Sequence, residues 1–315
     1  MDATSKPANC RLSPADTPTP DTERRIVIGI PTAGRREILS DTVRHIQTQD
    51  RLPDLVILSV SEEDDIDREA LRDLTFPVQI IVGPRGLSVQ RNRILEQLEP
   101  SDILMFLDDD FLMEPDYLDR IDTLFKQNPD VVLATGTVIA DGVVGRGYWH
   151  DTGLDFLEKH VRSDEPERLT EVYNGYGCNM AIRAATVLQN GITFDEELPL
   201  YSWLEDLDFS RQLAAFGRLV RSNRLFGVHL GTKTGRTPGI RLGYSQIVNP
   251  VYMLRKGTVS PGRMFRLTGR VFASNLVYSI RPREWTDSRG RLKGNFLAFL
   301  DILRGRIDPQ RARKF

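Results

Sequence analysis

Short apolar runs alternate with amphipathic stretches through the first half of this chain. Ile26-Val27-Ile28-Gly29-Ile30, Leu55-Val56-Ile57-Leu58-Ser59-Val60, Val78-Gln79-Ile80-Ile81-Val82 and Ile103-Leu104-Met105-Phe106-Leu107 are too short for freestanding helices. They suit strands buried on both faces of a parallel sheet. Between them Ile38, Leu39, Val43 and Ile46 share one helical stripe, and Gly83-Pro84-Arg85-Gly86 leads into a helix that Ser88 is placed to cap. Pro115 opens a further helix, with Tyr117, Leu118, Ile121, Leu124 and Phe125 on its apolar side, and Val131 to Ala140 returns as a strand. Strand and helix alternating over short connections predict an α/β domain with right-handed crossovers.

Elsewhere the pattern weakens. Residues 1–23, with four prolines among Ser, Thr and Asp, read as a flexible leader. Residues 141–170, rich in Gly and charge, read as a mobile loop over a site. The glycines of Tyr173-Asn174-Gly175-Tyr176-Gly177-Cys178-Asn179-Met180 suit a backbone that approaches a ligand closely, and Glu205-Asp206-Leu207-Asp208 opens a helix with acids in its first turn.

Charge divides the chain. The net charge is −2, yet from Lys233 onward there are 18 basic against 4 acidic residues. An acidic body over 24–232 is thus followed by a basic, mainly helical extension over 233–315. Two cysteines far apart give no disulfide framework, and no apolar run approaches a membrane span. These features favour a cytoplasmic protein.

The run Asp108-Asp109-Asp110 follows the most apolar strand. In open α/β sheets ligands gather beyond the carboxyl ends of the strands, so this run delivers carboxylates where chemistry is done. Adjacent carboxylates repel one another, and a hard divalent cation, Mn2+ or Mg2+, relieves that repulsion. Asp110 and then Asp109 are the expected ligands. The alternative is a solvated acidic turn.

With these pieces in order, residues 24–232 resemble the family 2 glycosyltransferases. The parts that carry the resemblance are Ile30-Pro31-Thr32-Ala33-Gly34-Arg35, Gly86-Leu87-Ser88-Val89-Gln90-Arg91-Asn92, the Asp-x-Asp motif of Asp108-Asp109-Asp110, Gly177-Cys178-Asn179-Met180 and Glu205-Asp206. The second strand departs from the family pattern, ending in Ser59-Val60-Ser61-Glu62-Glu63-Asp64. The resemblance implies a GT-A type fold, with a Rossmann-like, mostly parallel central sheet flanked by helices. It also implies an inverting, metal-dependent transfer from a nucleotide sugar.

By the same resemblance Pro31, Thr32, Arg35, Arg91 and Asn92 lie at the nucleotide, and Asp108 faces its ribose or an outer-shell water. Gly177, Asn179, Trp203 and Glu205 lie on the acceptor side, and Asp206 is the catalytic base. His229 falls where related enzymes place a histidine near the metal, although a lone histidine is also an ordinary packed side chain. Acids at a helix start have a structural reading too, stabilising its positive end by a few tenths to about 1 kcal/mol each. Trp203 and its neighbour Tyr201 suit either a sugar face or the core.

The basic extension interleaves arginines with Met264, Phe265, Leu267, Val271 and Phe272, and again with Phe296, Leu297, Phe299 and Leu300. That pattern suits an anionic membrane surface or packing against the acidic body. No nucleic-acid module accompanies the charge. The expected acceptor is a glycan or a lipid-linked glycan, in polysaccharide or glycoconjugate synthesis. Two rival readings are a sugar-phosphate nucleotidyltransferase and an inactive sugar-binding scaffold.

Overall fold

The four continuous apolar runs form β1 (Ile26–Thr32), β2 (Leu55–Val60), β3 (Val78–Val82) and β4 (Ile103–Leu107), hydrogen-bonded in parallel in the order β3-β2-β1-β4. The structure, a computed structural model, describes residues 24–162, 164–234 and 237–315. The leader expected over 1–23 lies outside them.

Alternate residues of these strands feed opposite faces, as the two-residue strand period requires. Ile26, Ile28, Ile30, Met105 and Leu107 pack against α1 (Arg36–Ile46) and α3 (Tyr117–Gln127). Val27, Ile57, Leu104 and Phe106 pack on the other side against Ile94 and Leu95, carried by α2 (Leu87–Leu95) and the residues around it. In β1, β2 and β4 this two-sided burial is why the strands carry no polar alternation, while β3, at the sheet edge, is only partly buried.

The remaining half of the sheet is mixed. β8 (Asn179–Arg183) runs antiparallel between β4 and β6 (Val131–Asp141), and β6 lies parallel to β9 (Arg218–His229). Two short strands, β5 (Phe111–Met113) and β7 (Leu169–Glu171), pair antiparallel with β9. Since β5 begins one residue after Asp110, the chain turns back at the acidic run, and Phe111 sits in register with His229.

Three expectations change. The helix over 87–95 begins with Gly86, at φ 148°, as its N-cap, so Ser88 lies inside the helix, buried. The helix expected from Pro115 starts at Tyr117, because the Pro115-Asp116 pair forms its entry turn. Residues 141–170 are not a plain loop. They contain α4 (His150–Glu158), and the following turn is tied down where Glu114 accepts from Arg162 Nε (2.7 Å) and meets His160 Nδ1 (2.6 Å). Buried acids with cationic partners hold this segment where hydrophobic patterning alone does not.

α5 (Ala184–Asn190) and α6 (Glu205–Leu213) complete the layer over β8, with Phe209 of α6 stacked on Phe194 at a centroid distance of 3.9 Å. The basic extension forms α7 (Gly239–Lys256), α8 (Pro261–Ile280) and α9 (Ser288–Leu303). α7 docks on the body: Met253 shares a core cluster with Leu198 and Leu207, and Lys256 Nζ reaches Asp195 (2.6 Å) and Asp208 (2.7 Å). Helix α9 crosses α7 at Gly243 and Gly294, where any Cβ would run into the backbone of the facing helix.

Candidate active site

The chain leaving β4 alternates like a strand, and this sorts the three acids. Asp108 and Asp110 turn toward His229 at the end of β9, and one ligand atom from each of the three lies within 4.8 Å of the others. Asp109 turns the opposite way. Its carboxylate accepts from Thr32 Oγ1 (2.5 Å) and Arg35 Nη1 (2.7 Å) beside β1. The grouping differs from the expected pairing of Asp110 with Asp109: the period-two alternation places Asp108, with Asp110, beside His229.

Asp110 is fixed from behind by the backbone. Its Oδ2 accepts from Thr232 N (2.8 Å), and its carbonyl accepts from Leu230 N (2.9 Å). His229 Nε2 stands 3.2 Å from Asp110 Oδ1 and 3.7 Å from Asp108 Oδ2, yet Oδ1 is buried with no hydrogen-bond partner. A buried, unsatisfied carboxylate oxygen beside a second carboxylate and an imidazole fits a hard divalent cation. Burial works against the charge of Asp110, but His229 and Arg35 outweigh it and hold the carboxyl below the usual range. Burial also opposes protonation of His229, and Asp110 and Asp141 nonetheless keep it raised. An arriving cation would displace that proton.

His229 is oriented by residues that patterning did not single out. Asp141, in register with His229 across β6 and β9, places Oδ1 3.2 Å from Nδ1. Tyr176 hydroxyl donates to Asp141 Oδ2 (2.9 Å) and lies 3.4 Å from Nδ1. A carboxylate on the far nitrogen turns Nε2 toward the cluster, the arrangement that supports metal-ligating histidines.

The other rim is set by a strained approach to α6. Leu200, Ser202 and Leu204 have φ of 60°, 49° and 73°, a region that costs non-glycine residues of order 1–3 kcal/mol each. Two contacts with the start of α2 hold them: Leu87 N donates to Leu200 O (2.9 Å) and Ser88 N to Ser202 Oγ (3.3 Å). The helix that follows opens with Glu205 and Asp206. Asp206 Oδ2 accepts from Gly177 N (3.1 Å), and Glu205 Oε1 from Arg91 Nη1 (2.8 Å).

Arg91 joins the two rims. Fully buried, it also donates to Gly177 O (2.9 Å) and approaches Asp108 Oδ1 (3.5 Å). A Cβ on Gly177 would press on this guanidinium, which accounts for the glycine. Burial, set against Arg91, pushes Glu205 up to about 8 and raises Asp206 as well.

Two of the other expected residues, Asn92 and Asn179, have side chains engaged with the fold. The Asn92 amide points away, donating to Phe194 O (3.0 Å) and Glu196 Oε1 (2.8 Å), so it braces the fold. Asn179 is buried, bonded through Oδ1 to Thr135 Oγ1 (2.6 Å), with its amide nitrogen unpartnered. Pro31 is buried within β1, while Trp203 is half-buried and its carbonyl accepts from Asn249. The departure at the end of β2 also has a use: Asp65 accepts from Gly34 N (2.5 Å), Ser61 Oγ (2.7 Å) and Glu62 N (3.0 Å), clamping the turns after β1 and β2.

Comparison with known proteins bears on the fold and the family. Solved structures share the fold: Staphylococcus aureus TarS 1-349 gives a TM-score of 0.55 at 13% identity, covering 92% of this chain and 87% of that one. The mannosyltransferase PcManGT from Pyrobaculum calidifontis, in complex with GDP-Man and Mn2+, gives 0.50 at 15% identity, covering 92% and 78%. In sequence, the glucosyl-dolichyl phosphate glucuronosyltransferase of Haloferax volcanii is 29% identical over 163 residues, 50% of this chain and 51% of that protein. The chain thus spans about half the length of this curated relative. The model of the glycosyl transferase family 2 matches residues 27–187, from β1 through the acidic run into α5. With the α/β sheet of the GT-A type and the Asp108/Asp110 pair at the end of its central strand, the chain belongs to glycosyl transferase family 2.

Proposed function

We propose that this chain moves a sugar of the hexosyl type from a nucleotide-sugar donor to a hydroxyl of a glycan or lipid-linked acceptor, inverting the anomeric carbon. The observation that carries this reading is the bridge made by Arg91 between Asp108, in the cation cluster, and the Gly177/Glu205 corner that holds Asp206. Asp108, Asp110 and His229 would hold a divalent cation, Mn2+ or Mg2+, whose chemistry when bound is to neutralise charge developing on a departing diphosphate. Asp206 takes the proton from the acceptor hydroxyl. The acceptor oxygen bonds to the anomeric carbon as the bond from that carbon to the diphosphate oxygen breaks, and nucleoside diphosphate leaves. Arg35, with its side chain in the same corner as Asp109 and Asp110, lies within reach of the donor phosphates.

The catalytic region corresponds to 24–232 and the extension to 233–315 in this reading. Synthesis of a polysaccharide or glycoconjugate on the cytoplasmic face of a membrane is the proposed setting, supported by the lipid-phosphate name of the Haloferax relative. Among the described residues, no helix is long and apolar enough to cross a membrane.

A panel of nucleotide sugars, each with and without Mn2+, tests the reaction by the nucleotide released. Metal-dependent nucleoside diphosphate from at least one donor is expected. Pyrophosphate would indicate nucleotidyl transfer, and failure of every donor to bind would leave a scaffold.

A further inference from the structure

Helices α8 and α9 form an antiparallel hairpin: Asn275 Nδ2 donates to Asn295 Oδ1 (2.9 Å), Arg289 Nε to Ser279 O (3.3 Å), and the Phe272 ring meets Phe296 and Phe299 edge-on. Each helix leaves one stripe uncovered. On α8 that stripe includes Phe265 (69% exposed), Val277 (54%) and Ile280 (75%), and on α9 Phe296 (56%), Leu300 (43%) and Leu303 (85%). Because Phe272 touches Phe296, the two stripes adjoin, giving an apolar surface larger than scattered exposed side chains make.

The charges on this surface have one sign. Arg266 and Arg270 lie exposed on α8, and Arg289, Lys293 and Arg304 on or beside α9. α8 contains no acid, and the sole acid of α9, Asp301, is buried where it accepts from Tyr244 hydroxyl (3.0 Å) and pairs with Arg311 (2.5 Å). The contrast with α7 is informative, since Lys256 of α7 is engaged by Asp195 and Asp208 of the body.

We infer that the outer face of the α8/α9 hairpin docks on an anionic lipid bilayer, inserting its apolar side chains between headgroups while the arginines meet lipid phosphates. Apolar residues that enter the acyl boundary, rimmed by cations and with no exposed acid on either helix, are what an interfacial hairpin requires. A second copy of the chain is a poorer occupant, because a two-fold pairing of this face would set its cationic rows against each other. Nucleic acid would use the cations and leave the apolar stripe without a role.

The hairpin's turn also adjoins the active site. Trp285 Nε1 donates to Val144 O (3.3 Å), Arg146 pairs with Glu284, and Arg146 lies 5.6 Å from the Trp285 ring centre. Val144 follows closely on Asp141, the partner of His229. A docked hairpin would therefore bring the catalytic mouth to the membrane, where a lipid-linked acceptor presents its glycan.

The test is cosedimentation of the full chain with vesicles of mixed phosphatidylglycerol and phosphatidylcholine, and with phosphatidylcholine alone, at low and high salt. Binding to the mixed vesicles, weakened by salt without being abolished, is expected. The R266E/R270E variant should lower that binding at least about tenfold, and F265S/L303S should remove the salt-resistant part. All four side chains are exposed, so circular dichroism should show both variants folded. Equal binding to both vesicle types, or variants that bind like the parent, would overturn the assignment. So would a dimer that these variants dissolve, or a variant-sensitive affinity for single-stranded RNA, either of them without vesicle binding. Vesicle binding is read without any transfer reaction, so its failure leaves the glycosyl-transfer reading in place.

Discussion

The two acidic rims of the site contain the same residue type in opposite electrostatic states. Burial raises the cost of a charge on Asp110 and on Asp206 alike, yet Asp110 lies below the ordinary range and Asp206 above it. The difference is the company each keeps. Asp110 faces His229 and Arg35 and accepts from Thr232 N, whereas the cation nearest Asp206, Arg91, makes its direct ion pair with neighbouring Glu205. A cation ligand has to stay ionised, and a general base has to hold a proton once it takes one. In the proposed reading, one protein surface meets both requirements by distributing its cations unequally.

The comparison breaks most sharply at the base. Asp206→Asn keeps the shape and one of the two oxygens that accept from Gly177 N and Leu207 N, but it cannot take a proton. Turnover should fall about 100- to 10,000-fold while calorimetry shows donor binding unchanged. Near-normal turnover would pass the role to Glu205. Asp208 is the weaker substitute, because its carboxylate is already occupied by Lys256 Nζ (2.7 Å) and Thr258 Oγ1 (2.6 Å).

On the opposite rim, Asp110→Asn deletes one charged ligand and should weaken Mn2+ binding about 100-fold, with donor affinity falling alongside it. Asp109→Asn is the informative partner. Its carboxylate is turned to Thr32 and Arg35, so a much smaller loss is expected, measured by the same metal titration. Equal losses in the two variants would show that Asp109 swings into the cluster when metal is present.

Much of this was legible in the sequence because burial on both faces gives β1, β2 and β4 continuous apolar runs, and β3 at the sheet edge keeps a similar run although it is only partly buried. The runs at 26–30, 55–60, 78–82 and 103–107 are all strands, and Tyr117, Leu118, Ile121, Leu124 and Phe125 are all buried. What escaped depends on pairing across the sheet. β5 has three residues, too few for a period, and β9 reads as polar although most of it is buried, because Arg218, Arg221, Ser222, Asn223 and Arg224 interrupt its apolar positions. α4 hides in a charged stretch, since Gly153 is its one fully buried residue. Asp141 is found only through the register of β6 with β9, which places it opposite His229 although 88 residues separate them. The direction of Asp109 is likewise a matter of backbone alternation just past a strand end, beyond what a run of three identical residues reveals.

Asp141→Asn sharpens the cation rim at a distance. The amide oxygen keeps the contact geometry to His229 Nδ1 but removes the charge that sets the ring's tautomer, so Mn2+ affinity should fall about tenfold. Nitrogen NMR of His229 supplies a readout independent of turnover: the proton should no longer be confined to Nδ1 in the neutral ring. Tyr176→Phe removes a single hydrogen bond to Asp141 and should have a smaller effect in the same direction.

The smallest expected effect is a displacement along the pH axis, and it separates the two acids of the base rim. A general base works ionised, so the rate that depends on it is present above its folded pKa and lost as pH falls through that value. Burial raises Asp206, which places the acidic limb of kcat/KM above the ordinary carboxylate range. Were Glu205 the base, the limb would stand near its own value of about 8, and activity would already be failing at neutral pH. The profile should be measured at saturating Mn2+, so that protonation of the cation ligands does not enter the same window. A limb above the ordinary carboxylate range, absent from the residual activity of Asp206→Asn, is the expected result. A limb near 8 that persists in Asp206→Asn would make Glu205 the proton acceptor, with the Arg91 pairing as the means by which it regains its charge.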